Sequence, residues 1–164
     1  MRLGPWLAIS TLPVMGVLVS STALADHLMI KHPGQHPDYS FEAEPHLLLE
    51  NFDGSPGLGF RGTIEIVDNG FVKPINNTVG ISFGGDFTHN HVHFPVAMQW
   101  NFWLSQRWSV FGEPGVVLHG DDRHLHLHPD LMIDAGGRFH FNDSVSLTIR
   151  LGLGGGSVGV SFFL

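Results

Sequence analysis

Cysteine is missing from the 164 residues. That absence removes disulfides, thiolate zinc sites, iron–sulfur clusters and cysteine nucleophiles together. Lysine occurs only at Lys31 and Lys73, and eight Lys and Arg stand against fifteen Asp and Glu, a formal net charge of −7. No basic stripe exists for a nucleic acid to follow. Charged residues make up 14% of the chain, against roughly 25% in an ordinary soluble domain. The shortfall implies that much of the surface does not face water. After the first 25 residues no stretch holds eighteen consecutive apolar residues, which excludes a transmembrane helix there. The length accommodates one domain.

The first 25 residues read as an export signal. Arg2 is the only charge before Asp26, an apolar run extends from Leu7 to Val19, and Ala23-Leu24-Ala25 has the small-x-small pattern of a signal-peptidase site. Cleavage after Ala25, rather than retention as an anchor, is expected. It leaves Asp26–Leu164, 139 residues with seven basic and fifteen acidic side chains and a net charge of −8. Residues 26–42 contain Pro33, Pro37, His27, His32 and His36 and are expected to form an irregular periplasmic segment. An exported chain with no such helix crosses a membrane only as a closed β-barrel, because lipid offers no partner for an unpaired backbone group.

Beyond residue 42 the chain alternates with period two. Val145, Leu147, Ile149 and Leu151 share one face of their segment, and Ser144, Ser146, Thr148 and Arg150 share the other. Eight such segments are predicted, at 43–50, 58–67, 77–88, 92–104, 107–118, 130–141, 144–153 and 157–164. Gly-, Asn- and Asp-containing turns separate most of them. Most exceed the roughly five or six residues of a globular strand and match the 9–11 that a tilted strand needs to cross a bilayer. The predicted fold is all-β: an eight-stranded antiparallel up-and-down membrane β-barrel over 43–164.

Alternation alone does not say which face meets solvent. The polar face carries small residues and a set of charges: Glu50, Arg61, Glu65, Asp86, Glu113, Asp134, Arg138 and Arg150, with no lysine. A water-facing surface would be rich in Lys and Glu. Small residues among Arg–carboxylate pairs suit the narrow interior of an eight-stranded barrel, so these charges are expected to form a lumen network. On the apolar face, Trp100, Phe102, Trp108, Phe139, Phe141 and Phe162 fall near one rim, and aliphatic residues occupy the middle. That is the pattern of an aromatic belt at a lipid–water boundary. The competing arrangement is a soluble exported periplasmic β-barrel that binds an apolar ligand inside.

In size and strand pattern, residues 43–164 resemble the small bacterial outer-membrane β-barrels, such as the OmpA transmembrane domain. The specific features are the alternating last strand, Ser157–Leu164, with Phe162 near its end, and the segment Trp100–Glu113, which looks like a periplasmic hairpin turning at Ser105-Gln106. The resemblance implies the outer membrane of a Gram-negative bacterium, contact with outer-membrane lipid, and assembly through the barrel-assembly machinery, which reads the closing strand. It leaves the oligomeric state open.

Alternating connections place seven of the twelve histidines at or near the outer mouth: His89, His91 and His93 from the second outer loop, and His119, His124, His126 and His128 from the third, 119–129. Residues i and i+2 of an extended chain share a face, so such imidazoles can converge on one ion, with Zn²⁺, Cu²⁺ or Ni²⁺ the fitting class. A polar loop without a dedicated ion, or a pH-sensing cluster, are the other readings. Enzyme activity is not expected. Thr88-His89-Asn90-His91 superficially matches the His-x-Ser strand of outer-membrane lipid A deacylases, but His91 stands where the nucleophilic Ser is needed. No Gly-x-Ser-x-Gly elbow occurs, and Gly152–Gly156 leads into a strand rather than a phosphate-binding helix.

Overall fold

The structure, a computed structural model, describes residues 28–50, 55–89, 91–121 and 124–164, with the backbone alone for Glu50, Ser55, Asp121 and residues 124–127. The expected leader and its cleavage site lie outside these residues. Eight strands form a closed antiparallel barrel in sequential order. They are β1 (Phe41–Glu50), β2 (Ser55–Val67), β3 (Asn77–Phe87), β4 (His91–Trp103), β5 (Trp108–Asp121), β6 (His124–Asn142), β7 (Val145–Gly152) and β8 (Gly155–Phe163). β1 and β8 close the ring, with Ala43 opposite Phe162 and Glu50 opposite Gly155. No described helix is long and apolar enough to cross a membrane.

Several boundaries differ from those expected; β2, for example, begins at Ser55 rather than at residue 58. β1 begins at Phe41, not at residue 43, because Ser40 and Phe41 both donate their backbone N–H to the Leu164 carbonyl, at 2.9 and 3.1 Å. Pro45 lies inside β1, as expected. The β1–β8 register passes over Glu44 and Pro45, where proline has no N–H to give the ladder. The expected outer loop 119–129 is mostly strand, since β5 runs on to Asp121 and β6 starts at His124. The sequence His124-Leu125-His126-Leu127-His128 itself alternates, and His128 pairs with His119 across the strands. The β7–β8 hairpin is also tighter than expected. Gly155 turns the chain with φ +136°, a conformation that side-chain-bearing residues rarely adopt.

The barrel is apolar outside and polar inside. Leu47, Leu58, Ile64, Ile81, Val96, Val116, Ile133, Ile149 and Val158 are each 39–64% exposed. Glu42, Glu44, Glu113 and Arg138 are no more than 1% exposed. The interior is therefore no apolar pocket, and the apolar-ligand arrangement does not fit it.

The segment before β1 closes one end. Tyr39, Trp103 and Phe163 form a buried aromatic cluster, with Tyr39 edge-on to Phe163 at 5.0 Å and His36 stacked on Trp103 at 5.7 Å. The Asn76 backbone N–H donates to the Ile30 carbonyl at 2.8 Å, and the Asn76 side-chain amide donates to the Gln35 carbonyl at 3.1 Å. Residues 28–40 thus cover the terminal end of the barrel. Burial, aided by the Glu42 carboxylate, pushes the Tyr39 phenol above its ordinary value.

Candidate functional site in the barrel interior

Above this floor the interior is built in layers of guanidinium and carboxylate. Arg138 Nη2 donates to both Glu42 oxygens at 2.7 and 2.8 Å, and its Nη1 donates to Asn101 Oδ1 at 2.9 Å. Its guanidinium lies 4.1 Å from the centre of the Phe111 ring. The next guanidinium, Arg150, lies 5.1 Å from the same centre. Arg150 donates to the two Glu44 oxygens at 2.7 and 3.0 Å and through Nε to Glu113 at 2.7 Å. Gln99 gives Glu113 a further hydrogen bond at 2.8 Å. Charges this deep persist only when paired and hydrogen-bonded.

The third layer joins three strands across a glycine. Arg61 donates to both oxygens of Asp86 at 3.1 Å, and His46 Nε2 meets Asp86 Oδ1 at 2.9 Å. His46 is on β1 and Asp86 on β3. Gly59 of β2 lies between them, and a Cβ there would overlap both His46 Nε2 and Asp86 Oδ1. Gly59→Val is therefore expected to destabilise the barrel by about 1–3 kcal/mol, the cost of separating a buried polar pair. Urea unfolding of the detergent-folded protein measures it. The penalty should shrink in His46→Ala/Gly59→Val, where the overlap with the imidazole is relieved and that with Asp86 remains; an unchanged midpoint for Gly59→Val alone counts against the contact.

The predicted lumen charges do not all meet. Arg61, Asp86, Glu113, Arg138 and Arg150 come together in the layers just described. Asp134 lines the cavity beyond them. Glu65 is half-buried near the terminal end of β2. The Glu50 side chain lies outside the described residues. Sequence reasoning missed Glu42, Glu44 and His46, which supply much of the pairing. Their signal was present: they alternate with Ala43, Pro45 and Leu47.

The six aromatics stand on the outer surface near the terminal end. Trp108 packs edge-on to Phe139 at 5.0 Å, Phe139 to Phe141 at 5.5 Å, and Trp100 lies 4.9 Å from Phe102. Phe162 is 41% exposed. Phe71, from the β2–β3 connection, joins them against Trp100 at 5.6 Å.

At the opposite end a cavity of about 770 Å³ opens above Arg61, Arg150 and Asp134. Four of the histidines expected in outer loops line its wall instead. His91 and His93 project from β4, His119 from β5 and His128 from β6. The reason is the length of these strands, above all of the β5–β6 hairpin, which carries His119 and His128 on its lumen side. His93 pairs in register with Asp86 on one neighbouring strand and with His119 on the other, and His119 pairs with His128. His89 lies beyond the end of β3, and the side chains of His124 and His126 lie outside the described residues. Among the described residues no three donors are gathered into a ready metal centre.

Ser109 and His140 form a hydrogen bond of 2.9 Å in the floor. Ser109 is fully buried, and His140 Nδ1 has no hydrogen-bond partner among the described residues. The pair lacks the third group that would orient a catalytic base.

A closed eight-stranded ring with hydrocarbon outside and ion pairs inside defines a class: the fold of transmembrane β-barrels. Comparison with solved structures agrees. A de novo designed transmembrane β-barrel superposes with a TM-score of 0.58 at 9% identity, over 83% of this chain and 100% of its own. The solution structure of the de novo designed TMB2.3 gives 0.57 at 10% identity, covering 79% and 98%. Neisserial surface protein A gives 0.49 at 10% identity, covering 76% and 94%. No protein-family model and no curated protein sequence matches the chain.

Proposed function

We propose that this chain is an integral outer-membrane protein of a Gram-negative bacterium, a cup closed on the periplasmic side that serves a structural or interaction role rather than catalysis. One observation carries the reading: large aliphatic side chains are exposed around the whole barrel while Arg138, Arg150, Glu42, Glu44, Glu113 and Gln99 are sealed inside. A water-soluble monomer rarely exposes a contiguous apolar patch beyond a few hundred Å². Hydrocarbon reverses that preference. Export by the leader at 1–25 and recognition of β8 by the barrel-assembly machinery belong to the same proposal.

Cell fractionation tests it. The protein is expected in the outer-membrane fraction, with gel mobility that changes on boiling, as a barrel that stays folded in detergent gives. Recovery in the soluble periplasmic fraction would overturn the reading. A barrel whose interior holds an aromatic floor and layers of paired guanidinium and carboxylate is also expected to show no unitary conductance steps in planar bilayers. Regular steps would count against the closed cup.

A further inference from the structure

We propose that the cavity at the open end binds one borderline transition-metal dication, Zn²⁺, Ni²⁺ or Cu²⁺, through His91, His93 and His119. The proposal goes beyond the membrane reading and does not depend on it, since a barrel folded in detergent carries the same cavity.

Placement comes first. His91 and His93 are i and i+2 on β4 and share its lumen face. His119 is the cross-strand partner of His93 on β5. All three line the cavity. Ring centres are 6.0 Å apart for His91 and His93, and 4.6 Å apart for His93 and His119. Three imidazoles on one tetrahedral ion, with metal–nitrogen bonds of roughly 2.0–2.1 Å, have ring centres about 5 Å apart. The two observed spacings bracket that value. Among the described residues three donors are not yet gathered on one point, and the ion draws the rings together by rotation about χ1 and χ2.

Charge and donor chemistry agree. Seven carboxylates on the lumen face of the strands (Glu42, Glu44, Glu65, Asp86, Glu113, Asp130 and Asp134) outnumber the three guanidiniums of Arg61, Arg138 and Arg150. With histidines neutral, these described groups carry a formal charge of −4, which favours a cation over an anion. Imidazole selects Zn²⁺, Ni²⁺ and Cu²⁺ over the oxygen-seeking Mg²⁺ and Ca²⁺. Asp130 Oδ2 lies 3.4 Å from His119 Nε2; a carboxylate behind a ligating imidazole orients it and raises its basicity. His128, opposite His119 in register, or a water supplies the fourth position.

The test is calorimetric titration of the detergent-folded protein with Zn²⁺, Ni²⁺ and Mg²⁺ salts. Saturable uptake of one Zn²⁺ or Ni²⁺ per barrel is expected, with none for Mg²⁺. His93→Gln and His119→Gln should each lower affinity at least tenfold, and Asp130→Asn by roughly tenfold. His32→Gln, exposed on the terminal segment, should leave it unchanged. Heat-modifiable gel mobility verifies that each variant is folded. With Cu²⁺, electron paramagnetic resonance should show imidazole nitrogen coupling that disappears in His91→Gln/His93→Gln/His119→Gln. The proposal is overturned by absence of saturable uptake, by equal uptake of Mg²⁺, or by full affinity in the folded triple variant. Loss of binding only when His124 and His126 are replaced would place the site elsewhere on the rim and overturn it too.

Discussion

Arg150→Met is expected to destabilise the folded barrel by about 3–5 kcal/mol, the range for removing one partner of a buried ion pair. Arg150 bridges two carboxylates. It holds Glu44 through two hydrogen bonds and Glu113 through a third, and Glu44 and Glu113 are 1% and 0% exposed. Methionine fills much of the volume and keeps the side chain beside Phe111, so the loss reports charge rather than a void. The remaining bonds, Gln99 to Glu113 at 2.8 Å and Ser161 to Glu44 at 3.4 Å, are too little to hold two carboxylates out of water. Urea titration of the protein folded in detergent or lipid vesicles measures the change. The test of cause is rescue: Arg150→Met/Glu44→Gln/Glu113→Gln removes the stranded charges and should recover most of the lost stability, as neutral replacement of a buried ionic group often does. Equal midpoints for wild type and Arg150→Met would mean that the guanidinium is not sealed inside.

Strict alternation made the strands and their two faces legible in the sequence, because a side-chain period of two leaves each residue one of only two directions. The face decision came from chemistry, since no lysine accompanies the arginines of the strands. What escaped detection is non-local. The expected start of β1 at residue 43 excludes Glu42, and nothing local to Glu44 shows that Arg150 of β7 is its partner. Which arginine meets which acid depends on how β1 registers against β8 when the ring closes, and local pattern carries no trace of that. The floor is of the same kind: Tyr39, Trp103 and Phe163 meet only in the closed barrel. The histidines misled for a different reason. Their polarity reads as loop, yet their spacing is that of a strand, and in a barrel with a polar interior a polar residue on a strand has somewhere to go. The hairpin β5–β6 therefore extends to the cavity mouth and turns a predicted loop cluster into a wall.

Ile149→Arg is the substitution that most directly asks what the outer surface touches. Ile149 lies mid-strand in β7 and is 48% exposed. Facing water, such a position would tolerate arginine within about ±0.5 kcal/mol. Facing the bilayer midplane, the same change should cost roughly 2–4 kcal/mol, because the guanidinium must be desolvated or must drag water and headgroups inward. Leu153→Arg supplies the comparison. Leu153 is 73% exposed, in the β7–β8 turn beyond the apolar band, where the expected cost falls to about 0–1 kcal/mol. Both variants leave every interior ion pair in place, so a difference between them reports depth in the surrounding medium. Unfolding free energies in lipid vesicles should separate Ile149→Arg from Leu153→Arg by at least about 1 kcal/mol. Near-zero values for both would mean that the aliphatic exterior faces water, and the membrane reading would fall while the barrel itself stood.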